Sequence, residues 1–322
     1  MSEKKKVLIT GGAGLLGSAV THQLVSEGEY TPVVMGRSEN PKRIVDILDK
    51  VIYEQGDAGD AATIESVIAK HRPQKVFHFA TVLGDACETQ IDAAVKVNVD
   101  GFIHLIEMVE KYEVDQLLFS SSMTTFALDL DSKIINDHSL QRPGSFYGVT
   151  KLFQEGSGRF FKHKHGVDFR AIRYPAIIGP GSRSGGFVSY TSDIINYALK
   201  GEAYTVPFNE NMTLPLLHTK DAARAIIDLS KAPKESVKGT CYLINGVTTP
   251  PTAGELVAMV KAKIPQAEIN FEVNEEWQAV LENSALLIDD KYAKEEWGWQ
   301  PTYDTYDKII DDFIQAAKEG TR

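Results

Sequence analysis

The fold is decided by residues 7–17, which read VLITGGAGLLG. Residues 7–10 are apolar or β-branched, which predicts a buried strand. Gly11, Gly14 and Gly17 follow at a spacing of three, and the apolar residues beyond them predict a helix. Glycines at a strand-to-helix turn let the backbone approach a pyrophosphate, which the amides and dipole of the helix N-terminus stabilise. The stretch therefore predicts a phosphate-binding turn.

Short apolar runs alternate with longer helical patterns through the first half of the chain. The runs predict strands at residues 7–10, 31–35, 51–54, 75–79 and 116–120, and further strands at 168–174 and 241–244. The patterns between them predict helices at residues 18–26, 61–70 and 93–110. The runs lack polar alternation, as expected when helices cover both faces of a sheet. We therefore predict an α/β fold, a Rossmann-type doubly wound parallel sheet with a smaller C-terminal substrate-binding part.

The pattern loosens after residue 174, where a Gly/Ser-rich loop precedes a helix predicted at residues 187–200. We expect residues 1–175 to form the dinucleotide-binding domain, to which the chain returns at 214–248. Residues 176–213 and 249–322 are expected to form the substrate-binding part. The three tryptophans of the chain are predicted to anchor that part through apolar packing, and they are Trp277, Trp297 and Trp299.

Charge and cysteine content favour a small-molecule partner inside the cell. The 322 residues include 44 acidic and 34 basic side chains, for a net charge of -10, which repels nucleic acid and acidic membranes. Cys87 and Cys241 are too few for a disulfide framework and fit a reducing compartment, so we expect a cytoplasmic location. His163 and His165 lack the neighbouring ligands of a metal site, and no metal is predicted.

Tyr147 and Lys151 stand four residues apart, hence on one face of a helix. A nearby ammonium favours the phenolate and is expected to lower the pKa of Tyr147 toward a value useful for proton exchange. A Tyr-x-x-x-Lys pair is common by chance, and alone it would be read as a surface pair. Ser122 supports a catalytic role for this pair. It lies just beyond a predicted strand, where its hydroxyl could hydrogen-bond a reacting oxygen.

Four segments together resemble the extended short-chain dehydrogenase/reductase family, that of the NAD-dependent epimerases and dehydratases. They read GGAGLLG at 11–17, FHFA at 77–80, SSS at 120–122 and YGVTK at 147–151. The family's catalytic serine or threonine, its tyrosine and its lysine match Ser122, Tyr147 and Lys151 in order and spacing. The resemblance implies an NAD(P)-dependent enzyme that transfers a hydride to or from a secondary alcohol carbon.

Within the family, the chain is most similar to the L-threonine-dehydrogenase-like branch. The similarity lies in RYP at 173–175, GG at 185–186, SY at 189–190 and LPL at 214–216. Val188 stands where that branch presents a threonine toward the amino acid. The substrate class therefore stays open among hydroxy amino acids, hydroxy acids and sugar acids.

The motifs and the resemblance together assign contact residues. The expected cofactor contacts are Gly11, Gly14, Leu15, Leu16, Gly17, Arg37, Ser38, Asp57, Ala58, Phe79, Ala80, Thr81, Tyr147, Lys151, Tyr174, Pro175 and Ile177. The expected substrate contacts are Leu83, Met123, Thr124, Ser184, Gly185 and Tyr190. Taken alone, Asp57 is more readily a turn residue than a cofactor contact, and Asn98 could serve the backbone as easily as a substrate.

The end of the second predicted strand favours NADP over NAD. It reads VMGRS at 34–38, without the carboxylate that usually accepts the ribose hydroxyls of NAD. Gly36 is expected to leave room for a 2′-phosphate, which Arg37 and Ser38 would bind. In the alternative, Arg37 stacks on the adenine without discriminating, and NAD is used.

The sequence leaves two other functions open. A nucleotide-sugar epimerase with tightly bound NAD is disfavoured because Thr124-Thr125 replaces the acidic pair of the family's dehydratases and Ala176 replaces the asparagine of sugar-nucleotide members. A non-catalytic NAD(P)-binding redox sensor is disfavoured because the catalytic set is retained. The family also implies a homodimer formed through the helices near residues 93–110 and 148–165.

Overall fold

The strands of the computed structural model, which describes residues 4–182, 188–284 and 287–320, are short and mostly buried. In chain order they are β1 Lys6–Thr10, β2 Thr31–Gly36, β3 Ile52–Gln55, β4 Lys75–His78, β5 Gln116–Ser122, β6 Ile134–Ile135, β7 Phe169–Tyr174, β8 Ala176–Ile178, β9 Tyr204–Val206, β10 Leu216–His218, β11 Cys241–Leu243, β12 Ile269–Phe271 and β13 Leu287–Ile288.

The helices alternate with these strands. They are α1 Leu15–Glu27, α2 Ala61–His71, α3 Asp85–Thr89, α4 Ile91–Ala94, α5 Gly101–Lys111, α6 Phe146–His165, α7 Tyr190–Lys200, α8 Thr219–Lys231, α9 Ala253–Lys263, α10 Glu275–Glu282, α11 Lys291–Trp297 and α12 Tyr306–Glu319. A 3₁₀ segment covers Lys42–Lys50, another covers Met123–Thr125, and a π-helical stretch, Val95–Asp100, joins α4 to α5.

Seven of the described strands form one parallel sheet in the order β11-β7-β5-β4-β1-β2-β3. All seven strands predicted for this sheet are present, and the Rossmann-type doubly wound fold is confirmed. The strand order reverses at β1, so a crevice opens between the carboxyl ends of β1 and β4. Ligands of such sheets bind in that crevice.

Two apolar cores cover the two faces of the sheet. Val7 and Ile9 of β1 belong to the core under α1 and α8, whereas Leu8 belongs to the core under α2 and α5. Successive residues of a strand face opposite sides, and both sides here are apolar. This explains why the sequence of these strands shows no polar alternation.

A third core lies in the C-terminal half and joins α7, α9 and α12 with β9 and β12. Two pairs of short parallel strands, β8 with β10 and β9 with β12, accompany it. α9 begins with a capping box, in which Thr252 and Glu255 each accept a backbone amide of the other. None of the helices in the described residues has the length and apolar character needed to cross a membrane.

The tryptophans depart from the prediction. Trp277 packs against the C-terminal core, but Trp297 and Trp299 pack against the core under α1 and α8. Trp299 is 1% exposed and donates a hydrogen bond from Nε1 to the carbonyl of Asn245 at 3.0 Å. α11 packs on β11, an edge strand of the sheet. Part of the range 249–322 therefore returns to the central sheet, because that edge needs a cover.

Candidate active site

The turn after β1 is packed so closely that it needs its glycines. Gly11 has φ +70°, and a Cβ there would lie 2.7 Å from the amide nitrogen of Ala80. A Cβ on Gly17 would lie 2.3 Å from the carbonyl oxygen of Gly11. A side chain at Gly11 would push the turn away from the residues after β4, and one at Gly17 would push the start of α1 away from the turn. The glycines therefore hold the backbone of α1 at the crevice.

The N-terminus of α1 is open to an external acceptor. Gly14 is the N-cap, it supplies no side-chain hydrogen bond, and the first turn contains no acidic residue. The first helical bond runs from Ser18 N to Gly14 O, so the amides of Leu15, Leu16 and Gly17 precede it. Such amides, together with the helix dipole, stabilise a bound anion. The turn thus fits the diphosphate of a dinucleotide.

A groove beside the ends of β2 and β3 is lined by Arg37, Gln55, Gly56 and Asp57. Gln55 Nε2 donates to the carbonyl of Arg37 at 3.2 Å and fixes the strand end there. Asp57 Oδ1 accepts the amide of Gly59 at 3.0 Å, so Asp57 is a turn residue that also borders the groove. A ribose with its 2′-substituent fits the chemistry of this position.

The space beside Gly36 is partly occupied, contrary to expectation. A Cβ on Gly36 would lie 3.0 Å from the hydroxyl of Tyr53. That hydroxyl donates to the carbonyl of Ser38 at 2.5 Å, and Tyr53 stands on the neighbouring strand β3. The room that the sequence predicted at Gly36 is therefore filled in part by a phenol, while Arg37 and Ser38 remain exposed.

Ser122, Tyr147 and Lys151 meet at the carboxyl edge of the sheet. Ser122 ends β5, and its Oγ accepts both the amide and the hydroxyl of Thr124, at 3.2 and 3.0 Å. Tyr147 is the second residue of α6, and Lys151 follows one turn later. The Lys151 Nζ lies 5.5 Å from the centre of the Tyr147 ring and donates to the carbonyl of Ser120 at 2.8 Å.

Burial governs the charges of this trio. It lowers the pKa of Lys151 to about 7, because the ammonium is desolvated. It also raises the pKa of Tyr147, although a hydrogen bond with Ser122 acts in the opposite direction. The expected lowering of the Tyr147 pKa by Lys151 is therefore wrong for this structure. Desolvation of the buried phenol dominates, and the hydrogen bond with Ser122 offsets only part of it.

Asn98 secures the loop that follows β4. It is fully buried, accepts the amide of Val82 at 2.8 Å and the hydroxyl of Thr81 at 3.0 Å, and donates to Val82 O at 3.0 Å. It also donates to Thr150 Oγ1 on α6 at 3.2 Å. Asn98 therefore serves the backbone of this loop. Leu83, in the same loop, is 55% exposed.

The remaining predicted contact residues differ in how deeply they are buried. Phe79, Ala80 and Ile177 are half-buried. Tyr174 is buried, and its hydroxyl donates to the carbonyl of Ala222 at 3.0 Å, so its side chain belongs to a core. Two other predicted residues, Ser184 and Gly185, lie outside the described residues.

Tyr190 is fully buried in the C-terminal core, 5.0 Å from the Phe208 ring, and its hydroxyl has no hydrogen-bond partner among the described residues. Met123 and Thr124 follow Ser122 directly and lie at the trio. Ala58 and Pro175 are buried. The predicted substrate contacts therefore divide between the sheet edge, where Leu83, Met123 and Thr124 lie, and the C-terminal core.

Two carboxylates near Ser122, Tyr147 and Lys151 were not predicted from the sequence. Glu155, fully buried one turn after Lys151, accepts the hydroxyl of Ser121 at 2.6 Å and pairs with Arg173 at 2.8 Å. Glu88 accepts two backbone amides at the start of α6. A spacing of four from Lys151 could have suggested Glu155, but no local pattern marks Glu88. Across the described residues, no group of three or more His, Cys, Asp or Glu is placed to hold a metal ion.

The sequence pattern of the NAD dependent epimerase/dehydratase family matches residues 7–244, from β1 to the end of the central sheet. The chain belongs to this family. It is 27% identical over 304 residues to a mitochondrial L-threonine 3-dehydrogenase of Sus scrofa, covering 94% of this chain and 80% of that protein. It is 30% identical over 233 residues to a D-erythronate dehydrogenase of Cupriavidus necator, covering 69% and 71%.

Solved structures of related dehydrogenases have the same fold as this chain. The structure of L-threonine dehydrogenase from Clostridium difficile superposes with a TM-score of 0.89 at 26% identity, over 99% of both chains. The predicted resemblance, including its L-threonine-dehydrogenase-like branch, is confirmed. The chain is an NAD(P)-dependent oxidoreductase of the extended short-chain type, which transfers a hydride to or from a hydroxyl-bearing carbon of a small polar metabolite.

Proposed function

We propose that this enzyme oxidises the secondary hydroxyl of a hydroxy acid, hydroxy amino acid or sugar acid, with NADP favoured and NAD the alternative cofactor. One observation carries the proposal. Ser122, Tyr147 and Lys151 converge at the carboxyl edge of the sheet, next to the open helix N-terminus that fits a diphosphate. The reverse reduction uses the same groups.

The chain's own residues move the proton. A bound nicotinamide ring supplies the hydride acceptor for oxidation and the hydride donor for reduction. During oxidation the Tyr147 oxygen takes the hydroxyl proton of the substrate, while the Ser122 hydroxyl donates to the same substrate oxygen and holds it in place. In reduction Tyr147 returns that proton to the carbonyl oxygen. The substrate thus loses a proton from its hydroxyl oxygen and a hydride from the adjacent carbon, which together convert the alcohol to a carbonyl.

Lys151 tunes Tyr147 and holds the ribose of the cofactor in this proposal. Its ammonium is buried between the Phe119 and Tyr147 rings, 4.7 and 5.5 Å from their centres. When charged, it stabilises the phenolate form of Tyr147. Burial lowers the pKa of Lys151 to about 7, so this stabilisation is present below that pH and is lost above it, as the ammonium gives up its proton.

The preference for NADP rests on the groove at the end of β2. Arg37 lies in that groove, and residues 34–38 contain no carboxylate that would repel a 2′-phosphate. Asp57 borders the same groove, where its carboxylate would instead favour the ribose hydroxyls of NAD. The guanidinium supports NADP as a phosphate partner, and cofactor titration decides between the two.

The substrate class rests on the relatives and on one residue. The relatives are named as dehydrogenases of L-threonine, a hydroxy amino acid, and of D-erythronate, a sugar acid. Val188 is 38% exposed and offers no hydroxyl where the threonine-dehydrogenase-like branch presents one. We therefore place hydroxy acids and sugar acids ahead of L-threonine.

A substrate screen tests this proposal. Purified protein is assayed with NADP and with NAD against hydroxy amino acids, hydroxy acids and sugar acids, and cofactor reduction is followed by absorbance. Turnover of a hydroxy acid, a hydroxy amino acid or a sugar acid supports the proposal. Tightly bound NAD with interconversion of UDP-sugars would establish the epimerase instead, and cofactor binding without turnover of any compound would establish the sensor.

The assembly is proposed as a cytoplasmic homodimer. Within each copy, residues 1–175 and 214–248 are proposed to form the dinucleotide-binding domain, and residues 176–213 and 249–322 the substrate-binding part, apart from α11, which packs on the central sheet. α6 presents Val149, Phe153 and Phe160 to solvent, exposed by 46, 41 and 53%. An apolar row on one helix supports its pairing with the same helix of a second copy. Cys87 and Cys241 are both free and buried, which fits a reducing compartment.

A further inference from the structure

The start of the catalytic helix α6 is closed by a carboxylate from a distant segment. Glu88, on α3, accepts the amide of Phe146 at Oε2 and the amide of Tyr147 at Oε1, both at 3.0 Å. These are the first two residues of α6. Ser145 provides the next acceptors, its Oγ for Gly148 N at 3.1 Å and its carbonyl for Val149 N at 3.0 Å.

Every amide of the first turn of α6 therefore has an acceptor. The first turn of α1 is built in the opposite way, because Gly14 gives it no side-chain cap and its amides are open to an anion. An unsatisfied first turn frays, and a side chain carried on it moves with the backbone. Tyr147 is carried on the first turn of α6, so its position depends on that closure.

The same segment includes a predicted substrate contact. Glu88 lies five residues after Leu83, a predicted substrate contact, and α3 begins directly after Gly84. Asn98 binds Val82 on one side and Thr150 of α6 on the other, at 2.8 and 3.2 Å. The loop after β4 is thus tied to α6 at two points, Asn98 behind the loop and Glu88 at the start of the helix.

We propose that Glu88 is a positioning residue that fixes Tyr147 against the loop at the substrate site, a role that rests on the proposed acid/base function of Tyr147. Glu88 takes no part in proton or hydride transfer. It acts by holding two backbone amides, one of them that of Tyr147 itself. A displacement of an acid/base group by about 1 Å is enough to slow a reaction severalfold to a hundredfold.

Three variants test this role. Glu88→Ala removes both acceptors, Glu88→Gln keeps one carbonyl oxygen as an acceptor, and Asp92→Asn removes an equal charge from the exposed start of α4. In the described residues, no hydrogen bond joins Asp92 to α6. For each protein we would measure kcat, the KM of substrate and cofactor, and hydrogen exchange at the amides of Phe146 and Tyr147.

We expect Glu88→Ala to lower kcat on the order of tenfold or more, with the KM for cofactor within about twofold of wild type. Exchange at the two amides becomes faster, Glu88→Gln is intermediate in both readouts, and Asp92→Asn matches wild type. A kcat for Glu88→Ala equal to that of Asp92→Asn would overturn the proposal even if amide exchange had risen, because Glu88 would then be only a structural cap.

The exchange measurement separates this inference from the proposed function. If wild type turns over no substrate, the proposed function fails. The hold of Glu88 on the first turn of α6, here called the clamp, is still measured directly by exchange at the amides of Phe146 and Tyr147. Faster exchange in Glu88→Ala, with Asp92→Asn unchanged, supports the clamp in that case. Unchanged exchange overturns it whatever the activity.

Discussion

At Arg37 the guanidinium borders the groove at the end of β2 and is exposed to solvent. If it contacts a 2′-phosphate, Arg37→Ala should weaken NADP binding on the order of tenfold or more and leave NAD binding nearly unchanged. The loss should shrink with added salt, since the contact is screened. Fluorescence titration of both cofactors checks this, with Lys164→Ala at the far end of α6 as the charge control.

Equal weakening of NADP and NAD by Arg37→Ala would show that the guanidinium stacks on adenine without discriminating. Gly36→Asp is a poor test of the same question. The new side chain would have to displace the Tyr53 hydroxyl, which lies 3.0 Å from the position of its Cβ.

Lys151 sets the pH range of the reaction in this account. When charged, it favours the phenolate of Tyr147, and burial lowers its pKa to about 7, so this support is present below that pH and lost above it. Lys151→Met should therefore lower kcat and remove the change of rate near pH 7 that follows the Lys151 charge. The profile would be recorded from pH 6 to 10 at saturating cofactor. An unchanged profile near pH 7 in Lys151→Met would separate Lys151 from Tyr147.

Individual residues were predictable where their partners are close in sequence. Tyr147 and Lys151 share a helix face, and Ser122 lies at the end of a strand that its composition predicts. Glu88 was not predictable, because it binds amides 58 and 59 residues away. The spacing of four from Lys151 marks Glu155 but not its partner Ser121, which lies 34 residues away. The raised pKa of Tyr147 was also missed, since burial depends on the whole fold.

Among the elements, α6 packs on β7 without room for a side chain at Gly158. A Cβ there would lie 2.2 Å from the Phe169 ring, whereas a Cβ on Gly156 of the same helix would meet nothing within 4 Å. Gly158→Ala should therefore lower the free energy of unfolding by about 1–3 kcal/mol. Gly156→Ala should raise it by about 0.5–1 kcal/mol, because alanine is the better helix former. Urea unfolding measures both, and effects of the same sign would contradict this packing.

The seven strands of the central sheet were predictable because each is a short apolar run bounded by turn residues. The two-residue strands β6 and β13 were not, since two residues carry no periodicity. The return of α11 to the sheet was missed for a different reason. The tryptophans mark apolar packing, but the sequence does not say against which core.

For the whole molecule, the exposed row on α6 predicts association of two copies. Phe160→Glu should convert the proposed homodimer to a monomer, because a carboxylate buried in an apolar interface would have no partner. Light scattering should give twice the mass of the chain for wild type and for Val280→Glu, a control at an exposed apolar position on α10. A monomeric wild type would contradict the proposed assembly.

The most direct test of the central claim is hydride transfer by Tyr147→Phe, using a substrate from the screen. The phenol ring and its packing remain while the proton-exchanging oxygen is removed. We predict that cofactor binding stays within about twofold of wild type and that turnover falls by about 10²–10⁴-fold, the usual contribution of a general acid/base. Undiminished turnover in this variant would contradict the assignment of Tyr147, and with it the mechanism proposed for the site.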